Sequence, residues 1–185
     1  MRTTRTVLLS GGVDSTTLLA LCAGQDSDDI RALFIDYGQA AAAQERAAAR
    51  AAAKAYGAAL REASVHIGPI PSGEISGRNA LLVHVALSMV GTEPGSLLLG
   101  IHAGTGYRDC TPAFVQAMQI SLDAHRDGAL QLAAPFVEWS KAEVYAYAQS
   151  LGVAFETTYS CEAGSVPPCG RCASCRDREA LDAAA

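Results

Sequence analysis

The chain has 185 residues, 50% of them hydrophobic and 18% charged, with a formal net charge of −5. That composition suits one ordinary globular unit able to bury a core, and 14 scattered Lys and Arg residues exclude the clustered basic patch that draws a protein to nucleic acid. No apolar run reaches the roughly 18 residues of a membrane span and the N-terminus lacks the order of a signal peptide, so we expect a cytoplasmic protein with a small-molecule partner, no membrane and no direct nucleic-acid contact.

The apolar run Thr6-Val7-Leu8-Leu9 breaks at Ser10-Gly11-Gly12, and an apolar helical segment follows from Ser15 to Ala23 before Gly24. This reads as strand, tight turn, helix. A second buried strand is expected at Ala32-Leu33-Phe34-Ile35, an alanine-rich helix over 40–56 stopped by Gly57, and a third strand over 59–65. A loop with Pro69, Pro71 and Gly73 precedes a helix over 79–90 and an apolar strand over 97–101. A helix over 112–125 with Pro112 in its first turn, a strand over 130–133 and a helix over 141–151 complete the alternation. Such alternation predicts an α/β fold with a parallel five-stranded sheet, helices on both faces, and ligands at the carboxyl ends of the strands near the switch point.

Ser10-Gly11-Gly12-Val13-Asp14-Ser15 lies where the first strand ends and the first helix begins. Backbone N–H groups and the helix dipole there point at a place suited to an anion, and the glycines let main chain approach phosphate. Ser10 and Ser15 add hydroxyl donors, and Asp14 is a candidate magnesium ligand. The loop lacks the lysine of a G-x-x-x-x-G-K-[ST] motif and is not G-x-G-x-x-G. The plain alternative is a strand-to-helix turn in which Ser15 or Asp14 caps the helix.

Six cysteines are present, and Cys161, Cys169, Cys172 and Cys175 follow the pattern C-x7-C-x2-C-x2-C with Gly170 at the knuckle. In a reducing compartment this predicts a closed tetrahedral zinc site, with an iron–sulfur cluster as the rival reading. Arg171, Arg176 and Arg178 around it either face phosphate or substrate or are solvated surface charge. Cys22 and Trp139 read as packing residues, and His84 as structural.

The phosphate loop resembles that of the N-type ATP pyrophosphatases. With it, Asp36-Tyr37-Gly38-Gln39, Gly77-Arg78-Asn79, Gly106-Tyr107-Arg108-Asp109-Cys110, Lys141-Ala142-Glu143 and the four cysteines occur in the order found in the 7-cyano-7-deazaguanine synthase (QueC) family, over nearly the whole chain. The resemblance implies an adenine nucleotide alpha hydrolase-like domain at residues 1–158 and a zinc segment at 159–185 packed on it. It implies ATP, Mg2+ and Zn2+ as cofactors, 7-carboxy-7-deazaguanine and ammonia as substrates in queuosine biosynthesis, and a homodimer. By that resemblance Leu9, Ser10, Gly11, Gly12, Asp14, Ser15, Thr16, Asp36, Tyr37, Gly38 and Gln39 hold the nucleotide. Arg78, Asn79, His102, Tyr107, Arg108, Asp109 and Cys110 line the substrate side, and Asp14, Ser15, Lys141 and Asp109 are the catalytic candidates.

The chain departs from the family pattern at Ala40-Ala41, where Arg-His is common, and in a shorter, non-acidic stretch from Gly100 to Gly106. Those departures motivate a second reading, a divergent relative that activates a deazaguanine acid or another carboxylate for a different acceptor, including a macromolecule. Some single residues keep two readings. Asp109 either contacts substrate or caps the helix opening at Thr111 and Pro112; Lys141 either neutralises phosphate or lies on an exposed helical face; His102 either touches substrate or is a satisfied structural histidine.

Overall fold

The computed structural model describes residues 4–25, 29–68, 70 and 75–183, so Pro69, Pro71 and Gly73 lie outside the described residues. Its elements run β1 (Thr4–Leu8), α1 (Val13–Ala23), β2 (Asp29–Asp36), α2 (Ala42–Ala55), β3 (Ala59–Ser64), α3 (Arg78–Met89), β4 (Gly95–Leu98), α4 (Pro112–Arg126), β5 (Leu130–Ala133), α5 (Lys141–Ser150), a 3-10 turn (Phe155–Thr157) and α6 (Ala173–Ala183). The strands form one sheet in the order β3-β2-β1-β4-β5, and every pairing is parallel.

Alternation along the strands sends side chains to opposite faces, and two apolar layers result. Val7, Leu9, Ala32 and Phe34 pack against α1, α2 and α5. Leu8, Leu33 and Ile35 pack against Val83 and Ala86 of α3 and Leu122 of α4. The alanines of α2 are small for a purpose: Ala48, Ala49, Ala52 and Ala53 are all buried, so this helix lies close to the sheet and to the loop after β1. Phe136, Trp139 and Tyr147 form an aromatic cluster with ring centroids 5.1–6.1 Å apart, and Cys22 is buried in the same layer. The packing roles of Trp139 and Cys22 therefore stand.

Two expectations are corrected. The strand expected over 97–101 is Gly95–Leu98. The chain leaves the sheet early because Gly100 must pass against the main chain of Asp14 and Ser15, where a Cβ would lie 3.1 Å from three of their backbone atoms. The C-terminal region also contains a helix, α6, that periodicity did not announce. It is charged on most faces and has no buried residue. It is held by partly buried Leu181, which packs against the cluster around Val13 and Tyr145, and by polar contacts: Arg178 stacks on Phe155, donates to Asp182 and reaches the Thr158 hydroxyl at 3.0 Å, while the Tyr145 hydroxyl bonds Asp182. Arg178 thus fastens α6, and the phosphate-facing reading of that residue is withdrawn.

Candidate active site and metal centre

In this strand order β1 sits between β2 and β4, and successive connections depart to opposite sides of it. A crevice opens beyond the carboxyl ends of β1 and β4, and the sequence places Ser10 to Ser15 there. Gly11 has φ +80°, and a Cβ on it would fall 2.6 Å from the Ala49 nitrogen and 2.7 Å from Ala48 Cβ and the Glu45 carbonyl. Only glycine allows the loop to lie this close to α2. Gly12 is the N-cap of α1 and makes no side-chain cap bond, so neither Asp14 nor Ser15 caps the helix. The Ser15 hydroxyl instead donates to the Gly12 carbonyl at 3.2 Å and lies 3.1 Å from the Ser10 hydroxyl. The head of α1 is left as an anion-accepting end.

Asp14 is met from the far end of the chain. Lys141 Nζ donates to both its carboxylate oxygens, at 2.6 and 2.5 Å. Lys141 is the first residue of α5, whose Ser140–Glu143 capping box fixes where that helix begins. It does not lie on a free helical face. His102, 5% exposed, places Nε2 3.7 Å from the Asp14 carboxylate. Its Nδ1 accepts from the Gly104 amide at 3.1 Å, which puts the ring proton on Nε2, facing Asp14. Burial lowers the His102 pKa, Asp14 counters that, and Lys141 lowers it further, so the ring is neutral at pH 7. The Ala103 amide donates to the Trp139 carbonyl at 2.9 Å, joining this segment to the approach of α5.

After β2, the motif residues shape their own turn. The Tyr37 amide donates to Gln39 Oε1 at 2.9 Å, the Gly38 amide to Asp36 Oδ1 at 3.0 Å, and Arg46 to Asp36 Oδ2 at 2.5 Å. Gln39 Nε2 donates to Glu45 Oε2 at 2.8 Å. Asp36 and Gln39 are therefore occupied with holding the turn, while Tyr37 and Glu45 line a cavity of about 210 Å³ together with Ser10, Asp14, Ser15 and Arg78. Leu9, Gly12 and Gln39 also border it, whereas Thr16 is sealed in the core with its hydroxyl unpaired among the described residues.

A second cavity of about 330 Å³ is lined by Ser76, Arg78, Tyr107, Arg108 and Asp109. Arg78 belongs to both. Burial works against its cation, but Tyr37, through charge and a hydrogen bond, and Asp109 and Cys110 outweigh that and raise its pKa. Burial raises the Tyr37 and Glu45 pKa values, with Arg78 and Gln39 respectively the largest opposing influences. Asn79 is buried and serves the frame: its amide nitrogen donates to Asp109 Oδ2 at 3.2 Å, and its side chain to the Asp109 carbonyl at 3.0 Å. Asp109 thus caps α3 across the structure. The helix that follows it is capped by Thr111, which accepts from Phe114 at 3.2 Å, and the local-cap reading of Asp109 falls. Cys110 is buried in the apolar layer, and that burial raises its thiol pKa. His84 bridges the Ala80 carbonyl and the Ser121 hydroxyl at 2.8 and 2.9 Å, a structural pin between α3 and α4.

Sequence reasoning missed Glu45. The signal was available: it is the lone acidic residue between Asp36 and Glu62 and stands in the first turn of an otherwise alanine-rich helix.

The four cysteine sulfurs lie within 4.8 Å of one another, with Cys169 and Cys175 3.9 Å apart. A tetrahedral ion with metal–sulfur bonds of about 2.3 Å separates its sulfurs by about 3.8 Å, so the donor set fits one metal. Amides of Cys169, Cys172 and Cys175 point at the sulfurs of Cys161, Cys169 and Cys172 at 3.3–3.4 Å. Burial opposes the Cys161 thiolate, yet the Cys169 amide, the Ser165 hydroxyl and the amides of Ala163 and Ser165 bring it down to about 5, while burial and adjacent thiols push Cys175 up to about 12. Four sulfurs this close could hold a cation among them. The segment also braces the phosphate loop: the Tyr159 amide donates to the Gly11 carbonyl at 3.0 Å, and Gly164 passes so near the Ala40 carbonyl that a Cβ there would overlap it.

A family profile described as "Queuosine biosynthesis protein QueC" matches residues 4–70 and 59–183. A 7-cyano-7-deazaguanine synthase from Synechococcus sp. (strain CC9605) is 39% identical over an alignment spanning 96% of this chain and 91% of the relative. The protein of that name from Aquifex aeolicus (strain VF5) is 33% identical, spanning 94% and 93%. Among solved structures, U34-tRNA thiolase NcsA from Methanococcus maripaludis with its 4Fe-4S cluster aligns with TM-score 0.57 and 16% identity, covering 98% of this chain and 65% of that one. A predicted subunit of tRNA methyltransferase from Methanocaldococcus jannaschii aligns with TM-score 0.52 and 16% identity, covering 80% and 74%. At that identity the two structures speak for the fold alone.

Proposed function

The chain belongs to the QueC family, and from that premise we propose that it converts 7-carboxy-7-deazaguanine, ammonia and ATP into 7-cyano-7-deazaguanine. The observation that carries the proposal is the uncovered head of α1 beside Asp14, itself gripped by Lys141 at 2.5 Å, with a cavity on the same crevice. A carboxylate is a poor electrophile. Its oxygen attacks the α-phosphorus of ATP, the bond to pyrophosphate breaks, and ammonia then displaces AMP to give the amide. A second ATP activates the amide oxygen, and loss of AMP leaves the nitrile.

In this scheme the amides of residues 10–15 and the Ser10 and Ser15 hydroxyls receive the pyrophosphate, offsetting the charge that develops as it leaves. Lys141 exchanges its carboxylate partner for phosphate oxygens, which frees Asp14. Asp14, once freed, would hold magnesium, which would further neutralise that charge when bound. His102 presents a neutral N–H beside Asp14 and excludes water from its buried side. Tyr37 and Gly38 border the adenosine, and Tyr107, Arg108 and Asp109 border the deazaguanine. We assign residues 1–158 to the ATP-binding domain and 159–185 to its metal segment, and zinc to the four thiols, because their spacing fits a single ion with no open position.

The test is mass spectrometry of purified protein incubated with Mg-ATP, ammonium and 7-carboxy-7-deazaguanine. The nitrile with AMP and pyrophosphate is expected. Folded, metal-loaded protein that forms pyrophosphate but neither amide nor nitrile would redirect the assignment to a different acceptor, the reading favoured by the short non-acidic segment from Gly100 to Gly106. Protein that consumes no ATP would refute the adenylating function itself.

A further inference from the structure

We propose that Arg78 is the acid-selective anchor of the reaction: it holds the substrate carboxylate against the α-phosphorus of ATP, and it serves activation of the acid more than activation of the amide. This rests on the function proposed above. Arg78 opens α3 and lines both cavities, so it stands where a carboxylate entering from one cavity meets a nucleotide lying in the other. Among the described residues lining the first cavity it is the sole Lys or Arg. The second cavity has another cation, Arg108, but that residue is exposed and Arg78 is half-buried. A charge withdrawn from water is screened less and acts more strongly on its ligand.

The surroundings hold Arg78 as a cation in one place. Tyr37 bonds it from the turn after β2, Asp109 lies near it from the loop before α4, and Asp109 is itself held by the Asn79 amide at 3.2 Å. Glu45 adds a carboxyl group to the lining of the first cavity, within electrostatic reach of Arg78 and fixed by Gln39 at 2.8 Å. Two substrates pass through this site in turn. The acid is an anion that a guanidinium binds through two charge-assisted hydrogen bonds, whereas the amide is neutral and accepts through one carbonyl oxygen. As the acyl phosphate forms, the carboxylate oxygen bonds phosphorus, pyrophosphate departs with its electron pair, and the remaining carboxyl oxygen stays on Arg78.

The test is pyrophosphate release by Arg78→Gln and Arg78→Lys with acid and amide supplied separately, alongside Arg108→Gln. For Arg78→Gln, kcat/KM with the acid is expected to fall by about 100-fold and with the amide by about tenfold or less. Arg78→Lys keeps the charge without the fork and falls between, preserving the acid-over-amide bias. It carries the test if the glutamine variant does not fold. Equal losses for both substrates would assign Arg78 a structural role and overturn the proposal, as would an acid-specific loss in Arg108→Gln alone. Wild-type protein releasing no pyrophosphate with either substrate would overturn the function, and the anchor with it.

Discussion

Replacing Gly11 with alanine tests how the phosphate loop is seated. The residue has φ +80°, a region that costs an L-residue about 1–2 kcal/mol. The new Cβ would also meet the Ala49 nitrogen at 2.6 Å and the Glu45 carbonyl at 2.7 Å. Both are backbone atoms of α2, which cannot swing aside as a flexible side chain would, and such overpacking costs about 1–3 kcal/mol. Together Gly11→Ala is expected to cost about 2–5 kcal/mol, lowering Tm by about 4–20 °C for a chain of this size. Gly57→Ala supplies the control, since Gly57 has φ +67° but nothing within 4 Å of its would-be Cβ. It should lose only the conformational part, about 1–2 kcal/mol. Urea unfolding of both variants with the wild type reads the difference directly. Equal losses at the two positions would refute the claim that the loop is pressed against α2.

Other outcomes can be checked on the same protein. Asp14→Asn should reduce pyrophosphate release by about 100-fold or more while leaving circular dichroism and Tm nearly unchanged; unaltered turnover removes Asp14 from the site. Ser140→Ala breaks the capping box that starts α5 and should cost about 1 kcal/mol, with a higher KM for ATP because Lys141 loses its fixed position; a change in Tm without one in KM would separate the two. Because the folded pKa of His102 is depressed by burial, its contribution to stability is present above the ordinary imidazole value of about 6.5 and is lost as pH falls from there through the folded value. His102→Gln should flatten that part of the stability–pH curve measured by urea unfolding. Elemental analysis should find one zinc per chain and no visible absorbance; chelation should then raise the ATP KM, because the Tyr159 amide holds the Gly11 carbonyl.

The sheet and its five helices were legible because their signals are simple: the apolar runs at 6–9 and 32–35 are strands buried on both faces, and the high helix propensity of alanine over 40–56 marks a helix before its packing is known. The glycine turn after β1 and the clustering of the four cysteines were legible because a close backbone approach and converging thiols demand particular residues at particular spacings. Long-range polar partnerships were not. Nothing local says that Lys141 will find Asp14, or that Asp109 will cap α3 in place of α4. Each depends on strand order, which alternation alone leaves open. The helix α6 was missed for a related reason, since its anchors, Tyr145, Phe155 and Thr158, all come from elsewhere in the chain.

The bond from the Tyr159 amide to the Gly11 carbonyl has a consequence for folding. The glycine turn after β1 and the residue that braces it lie some 150 positions apart in sequence. A folding chain therefore carries an unbraced turn until the segment around Tyr159 has docked on it, which ties the seating of the turn to the order of the region that leads into the cysteines.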